Sequence, residues 1–293
     1  MTKPVNKKWK GTLFVLPAFI IHICLVVLPA CSMFYYAFTD WNGLGTPEFV
    51  GLKNFAKMTR DINFLLAAKN NLIYCIIFLI VPLILGLGMA LVFTKIGKSQ
   101  MLFRTLCFLP YVISPTVAGK IFSVFYSPYS GIATIFDSLK IDALADFAPL
   151  GDGSQALYAV AAVDNWHWWG FVLVLMMSAL HQVDVSLYEE ADLEGANVWQ
   201  RFVYVTIPQI KPTLISYLIF DVVAVFTTFD WIWIMTQGGP AGATEVFATQ
   251  IYKRTFVNYD AGYGSALSLT VCVMALTAYF LLTLWRKREE REL

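Results

Sequence analysis

Six mainly apolar stretches divide the chain: residues 11–38, 70–94, 104–126, 156–179, 213–235 and 262–285. A helix needs about 20 such residues to cross a bilayer core, and each stretch has that length. None alternates over about ten residues as a membrane barrel strand does. The pattern predicts an all-α membrane protein of six transmembrane helices, with residues 1–293 as a single transmembrane domain. Pro17, Pro29, Pro82, Pro110 and Pro115 are expected to kink or delimit helices, which a bundle tolerates when neighbours re-satisfy the backbone. The first stretch reads as a retained span, because it is too long for a signal peptide, lacks a clear small-residue cleavage site and ends in aromatics.

Composition sharpens this picture. The chain is 58% hydrophobic and only 14% charged, with mean hydropathy +0.63. Soluble domains run near 45–50% apolar and about 25% charged, so too few charges remain to cover a water-facing surface. Disorder is excluded because it requires low hydrophobicity. A net charge of +1 gives no basic stripe for a nucleic acid. The five cysteines lie in or beside apolar runs, form no C-x-x-C pair and have only His22 nearby, so no metal site is expected.

Charge then orients the spans. Lys3, Lys7, Lys8, Lys10, Lys95, Lys98, Arg104, Arg201, Lys211, Arg286, Lys287, Arg288 and Arg291 fall on one side. Lys53, Lys57, Arg60, Lys69, Lys140, Lys253 and Arg254 are spread over longer loops on the other. The excess of Lys and Arg marks the cytoplasmic side, so both termini are expected there.

The cytoplasmic connection over residues 182–211 is long. Ser186 with Glu189 reads as a capping box opening a short helix, and Gly195 stands where a left-handed C-terminal residue is wanted. Asn197 with Gln200 offers a second cap, for a helix expected to end before Pro208. A loop lying on lipid would be rich in Lys and Arg. This first helix is acidic, which points to a protein partner.

The same segment resembles the EAA loop of bacterial ABC importer permeases. Glu189-Glu190-Ala191 is followed after three residues by Gly195 and after nine more by Val205-Thr206-Ile207-Pro208. Glu190 replaces the family's first alanine, Val205 its isoleucine and Ile207 its leucine. Phe49-Val-Gly-Leu-Lys-Asn-Phe55 and Met235-Thr-Gln-Gly-Gly-Pro240, followed by Ala243-Thr-Glu245, are similar to segments of the carbohydrate-uptake branch, the maltose and glycerol-phosphate permease type. The Gly-Gly-Pro passage resembles the first-type subunit.

The resemblance implies a type I ABC importer permease fold, in a bacterial or archaeal cytoplasmic membrane. It implies that Glu189, Glu190, Ala191, Gly195, Ala196 and Pro208 couple to the ATPase, with alternating access as the mechanism. It further implies a second, different permease, two nucleotide-binding subunits that hold the ATP and Mg, and an external solute-binding protein. No cofactor is expected in this chain.

An enzyme is the rival reading. Gly97-Lys98-Ser99 looks like the end of a phosphate loop, but Val92 stands where the first glycine is required. There is no H-E-x-x-H or G-x-S-x-G, so a membrane-embedded enzyme remains remote. A channel would need a filter ring, and none is evident.

Ionisable groups within spans are costly and mark function. Asp164, His167, Trp168 and Phe171 share one face of the fourth predicted span, and Asp221, Val225 and Thr228 one face of the fifth. Carboxylates accept sugar hydroxyls, and an indole packs on the apolar face of a sugar ring. These seven residues are the candidate solute contacts. The expected solute is a sugar or oligosaccharide, with a polyol, a glycerol-phosphate-like solute or an amino sugar as the alternative. Two acids favour the amino sugar among these, and the lack of arginine inside any span disfavours a phosphate.

Overall fold

The computed structural model describes residues 7–94, 96–141 and 147–292; Lys3 and Lys95 of the basic clusters lie outside them. The helices run α1 (Lys7–His22), α2 (Leu28–Tyr36), α3 (Lys53–Met58), α4 (Ile62–Phe93), α5 (Gln100–Val112), α6 (Pro115–Phe125) and α7 (Ile132–Ser138). They continue with α8 (Ala156–Leu180), α9 (Val185–Leu193), α10 (Val198–Arg201), α11 (Ile207–Phe226), α12 (Asp230–Met235), α13 (Phe247–Tyr252) and α14 (Ala261–Glu292). Strands β1 (Thr39–Asp40) and β2 (Glu48–Phe49) pair antiparallel between α2 and α3.

Among the described residues, Phe14–Tyr36, Ile62–Phe93, Val198–Phe226 and Ala261–Arg288 are long and apolar enough to cross a membrane. The bent pairs α5–α6 (87°) and α8–α9 (71°) raise the number to as many as six.

Two of the apolar stretches are broken, the third beside Pro115, where a kink or helix boundary is expected, and the fifth where none is. Residues 104–126 turn sharply at Ile113–Ser114, where Ser114 takes φ −55°, ψ 134°. The ring of Pro115 disfavours helical geometry in the residue before it. Residues 213–235 are divided between α11 and α12 by Thr227–Phe229. There the Thr227 and Thr228 hydroxyls both donate to the Ala224 carbonyl, at 2.9 and 3.3 Å. Local hydroxyl bonds of this kind compete with the helix ladder.

At Pro208 the opposite holds. No helix ends before it: α10 runs through a π turn (Phe202–Thr206) into α11. The wider i→i+5 turn accommodates a residue that has no N–H to give. A second π turn, Ile23–Val27, joins α1 to α2 just ahead of Pro29.

The chain forms two compact units, one holding the residues up to Asp61 with Ile251–Cys272, the other Ile62–Gln250 with the residues from Val273 on. In the first unit Asn54, buried, donates to the Ala37 and Thr39 carbonyls at 3.0 and 2.9 Å. This is the asparagine of the Phe49–Phe55 segment, and it ties α3 to the end of α2 and to β1. Asp61 accepts from Arg254 and from the Tyr263 hydroxyl, both at 2.8 Å, and Lys57 pairs with Asp260 at 2.6 Å. The Lys57 ammonium also lies 4.4 Å from the centre of the Tyr263 ring.

In the second unit, small residues set how closely helices approach. A Cβ on Gly86 of α4 would lie 2.8 Å from Val172 and 2.9 Å from the Leu173 amide nitrogen of α8. A Cβ on Gly170 of α8 would lie 2.1 Å from the Cys107 carbonyl oxygen of α5. Around these approaches lie two apolar clusters, one with Tyr74, Val160, Val163 and Ile232, the other with Leu173, Met176, Ile210 and Tyr217. Gly170→Val should therefore cost about 1–3 kcal/mol as overpacking, read as lower abundance and a lower melting temperature in detergent. Gly88→Ala, at a position where a Cβ meets nothing within 4 Å, should change neither.

Candidate functional site

The first site is the elbow made by α9 and α10. Its N-cap is Asp184 rather than Ser186: the Asp184 carboxylate accepts the Ser186 amide at 3.0 Å, so the expected Ser186–Glu189 box gives way to a cap two residues earlier. The Ser186 amide and hydroxyl hold the Asp184 carboxyl below the ordinary carboxylate range. Gly195 has φ +77°, and the amides of Ala196 and Gly195 bond the Ala191 and Asp192 carbonyls at 2.9 and 3.1 Å. That is a Schellman C-terminus, whose left-handed residue is best supplied by glycine. The Asn197–Gln200 capping box is present in both directions, at 2.8 and 2.9 Å.

Two side-chain bonds fix the elbow. Arg201 pairs with Asp192 at 2.5 Å across it, and the Tyr188 hydroxyl bonds that of Thr206 at 3.0 Å. Glu189, Glu190 and Gly195 are exposed, while Ala191, Ala196 and Pro208 are half-buried. A Cβ on Gly195 would meet no atom of this chain within 4 Å, so the elbow presents an open, acidic surface. Behind it lies a cavity of about 740 Å³ between the elbow and the ends of α4 and α8, lined by Leu91, Leu180, Val183, Tyr188, Phe202 and Thr206.

The second site is the face shared by α8 and α11. Asp164, His167, Asp221 and Val225 are buried in the bundle, and Trp168, Phe171 and Thr228 are half-buried. Asp164 accepts the Tyr74 hydroxyl at 2.6 Å, and the Trp231 indole is also directed at it. A ring nitrogen of His167 lies 2.9 Å from the Ile113 carbonyl, at the break between α5 and α6.

Trp168 stands among Phe171, Tyr111, Phe78 and Phe220, with ring centres 4.9, 5.5, 5.7 and 5.9 Å away. Its plane is within 3° of that of Phe220. Both Asp221 oxygens and the Trp168 indole nitrogen are enclosed without a bond of good geometry, although the Tyr217 hydroxyl and the Trp168 indole lie within electrostatic reach of the carboxylate. The Thr228 hydroxyl is turned back on Ala224.

Tyr74, Tyr111, Phe220 and Trp231 belong to this constellation, and the sequence reading missed them. Phe220 neighbours Asp221 but projects about 100° away round the helix, so the shared-face argument passed over it. Trp231 lies beyond the break in the fifth stretch. Tyr74 and Tyr111 carry no charge that would single them out in an apolar run. Among the described residues, no three of His, Cys, Asp and Glu come together to hold a metal ion.

Residues 72–291 match the family described as binding-protein-dependent transport system inner membrane component. The chain is 31% identical to the sn-glycerol-3-phosphate transport system permease protein UgpA of Agrobacterium fabrum, over 91% of this chain and 92% of the relative. It is 29% identical to the diacetylchitobiose uptake system permease protein NgcF of Streptomyces coelicolor, over 87% of this chain and 76% of the relative. In fold it is similar to a chain of a bacterial ABC transporter involved in the import of the acidic polysaccharide alginate. That similarity has a TM-score of 0.83 and 21% identity, over 97% of this chain and 96% of the other. This multi-pass helical chain belongs to the binding-protein-dependent transport system inner membrane components, the permeases of ABC importers.

Proposed function

We propose that the chain translocates a sugar or oligosaccharide across the cytoplasmic membrane of a bacterium or archaeon. It does so as one of two different permeases, with two ATPase subunits on the cytoplasmic side and a solute-binding protein outside. The observation that carries the solute class is the aromatic group Tyr111, Trp168, Phe171 and Phe220, whose Phe220 is 55% exposed beside the buried Asp221. Aromatic faces accept the apolar faces of sugar rings, and few precisely placed polar groups then select among them. A relative named for diacetylchitobiose and a structural neighbour named for alginate support the same class.

In this reading all six apolar segments cross the bilayer, with the α5–α6 bend inside the third, and both termini are cytoplasmic. The elbow docks on an ATPase subunit through Glu189, Glu190, Ala191, Gly195 and Ala196, with Pro208 at its root. ATP and Mg stay on that subunit and no hydrolysis occurs in this chain. Closure of the ATPase pair moves the elbow, and the solute face alternates between the two sides of the membrane.

Two experiments test this. Gly195→Asp should abolish uptake while membrane insertion stays normal, because aspartate both strains a residue at positive φ and fills the docking surface. Uptake by cells and ATPase activity of the reconstituted complex read the result, and normal coupled transport would remove the elbow from docking.

Trp168→Ala should raise the apparent KM for solute about tenfold, in keeping with a lost contact of 1–3 kcal/mol, with the complex assembled in normal amount. An unchanged KM and kcat would mean that this aromatic group contacts protein or lipid only.

A further inference from the structure

Between α11 and α14 the chain has little regular structure of its own. Thr227–Phe229 is a break, α12 has six residues, and residues 236–246 form a loop before the short α13. The loop is stiff internally. Gly238 and Gly242 turn it at φ +86° and +84°, and the buried Thr244 hydroxyl bonds the Gly239 carbonyl at 2.8 Å and the Thr236 hydroxyl at 2.7 Å. Its attachments at either end are irregular, so something else must hold it.

Two consecutive asparagines of α4 do so, and both are buried, at 4% and 5% exposure. The Asn70 amide donates to the carbonyls of Glu245, Ala243 and Gly242 at 2.9, 3.1 and 3.4 Å. The Asn71 amide accepts the Phe247 N–H, at the start of α13, at 2.8 Å and donates to the Val225 carbonyl, in the last turn of α11, at 3.0 Å. Helix ends leave such groups without intrahelical partners. One side chain here satisfies a donor of one helix and an acceptor of another, which among residues of this size only asparagine can do: aspartate lacks the donor and leucine lacks both. The same segment carries Trp231, buried, within electrostatic reach of Asp164 and with its ring centre 5.1 Å from that of His167.

We propose that Asn70 and Asn71 are positioning residues for transport: they clasp residues 227–247 to α4, so that this segment moves with α4 as one body and sets Trp231 against the solute face. The proposal rests on the assignment of the solute path to the α8–α11 face. The clasp is permanent through the cycle. Because α4 is itself packed on α8 at Gly86 and through the Tyr74–Asp164 bond, Trp231 keeps its place beside His167 as this body moves, and the segment does not swing on its own connections.

The test uses the complete reconstituted importer with its binding protein. Asn71→Leu should lower uptake about tenfold, as a misplaced group at a site does, and should raise the ATP hydrolysed per solute moved. A merely structural asparagine would lower abundance and leave ATP per solute unchanged in the complexes that assemble, and that result overturns the proposal. Should Asn71→Leu fail to assemble, a second variant decides. Asn70→Cys with Ala243→Cys, in a background whose five native cysteines are alanine, is bridged by a short bifunctional thiol reagent. The unbridged variant lacks the Asn70 bonds and should transport less than its cysteine-free parent. A bridge that restores uptake toward the parent's supports a permanent clasp, and unbridged uptake equal to the parent's overturns it. Failure of the two thiols to bridge, or loss of uptake on bridging that cleavage of the reagent restores, overturns it. An unchanged KM in Trp168→Ala would remove the solute path while leaving the bridging result to stand by itself.

Discussion

A helix inside hydrocarbon can be interrupted only where other groups take up the N–H and C=O that the interruption frees, and the second compact unit is organised around meeting that condition. Pro82 removes the N–H that would bond the Phe78 carbonyl, yet α4 runs on through it. The buried Tyr217 hydroxyl of α11 points at this position, 3.5 Å from the Phe78 and 3.3 Å from the Leu79 carbonyl. At the end of α11, threonine hydroxyls and the Asn71 amide meet the same need. At the α5–α6 break, a ring nitrogen of His167 reaches the Ile113 carbonyl. The polar side chains within the apolar stretches are thus spent largely on backbone groups, some within their own turn, as at Thr227 and Thr228, and some joining elements distant in sequence, as at Tyr217, Asn71 and His167.

Asp221 and Trp168 depart from this economy. Asp164 has the Tyr74 hydroxyl, but the Asp221 oxygens and the Trp168 indole nitrogen are enclosed without comparable bonds. Leaving such groups unsatisfied costs folding free energy, so a protein optimised for stability alone would replace them. Their position beside aromatic rings that reach the bundle surface at Phe220 is what a binding face requires.

The large-scale pattern was legible in the sequence because it is set by composition over lengths of about 20 residues. The elbow was legible for a different reason, since local rules govern it: a left-handed residue calls for Gly195, and reciprocal capping calls for Asn197 and Gln200. What could not be read there depends on groups brought together from far apart. Hydropathy does not see the break at Thr227, which lies in an apolar run, whereas Pro115 marked the bend at Ser114 in advance. Pro208 reads as a terminator on propensity alone, whereas a π turn carries the helix past it. Ser186 matched a capping pattern, yet Asp184 stands two residues ahead and offers an acceptor that carries charge. Asn70 and Asn71 gave no signal at all: two amides at the head of an apolar run look like its polar border, and only tertiary structure shows five bonds leaving them.

The elbow and the proposed solute face are one continuous piece of structure. Tyr188 and Arg201 bind α9 to the start of the helix that runs from Val198 to Phe226. That helix carries Tyr217 against α4 and Asp221 into the aromatic group before it ends on Asn71. In the proposed cycle a displacement of the elbow would reach the α8–α11 face through a hydrogen-bonded rod, without crossing a flexible joint. The π turn at Phe202–Thr206 is the one place where the rod is locally unwound, and there the Tyr188–Thr206 bond holds it from the side. Packed elements of this kind transmit motion because they are dense and resist compression. The joint that does exist, at Thr227–Phe229, lies beyond Asp221, where the clasp on α4 takes over.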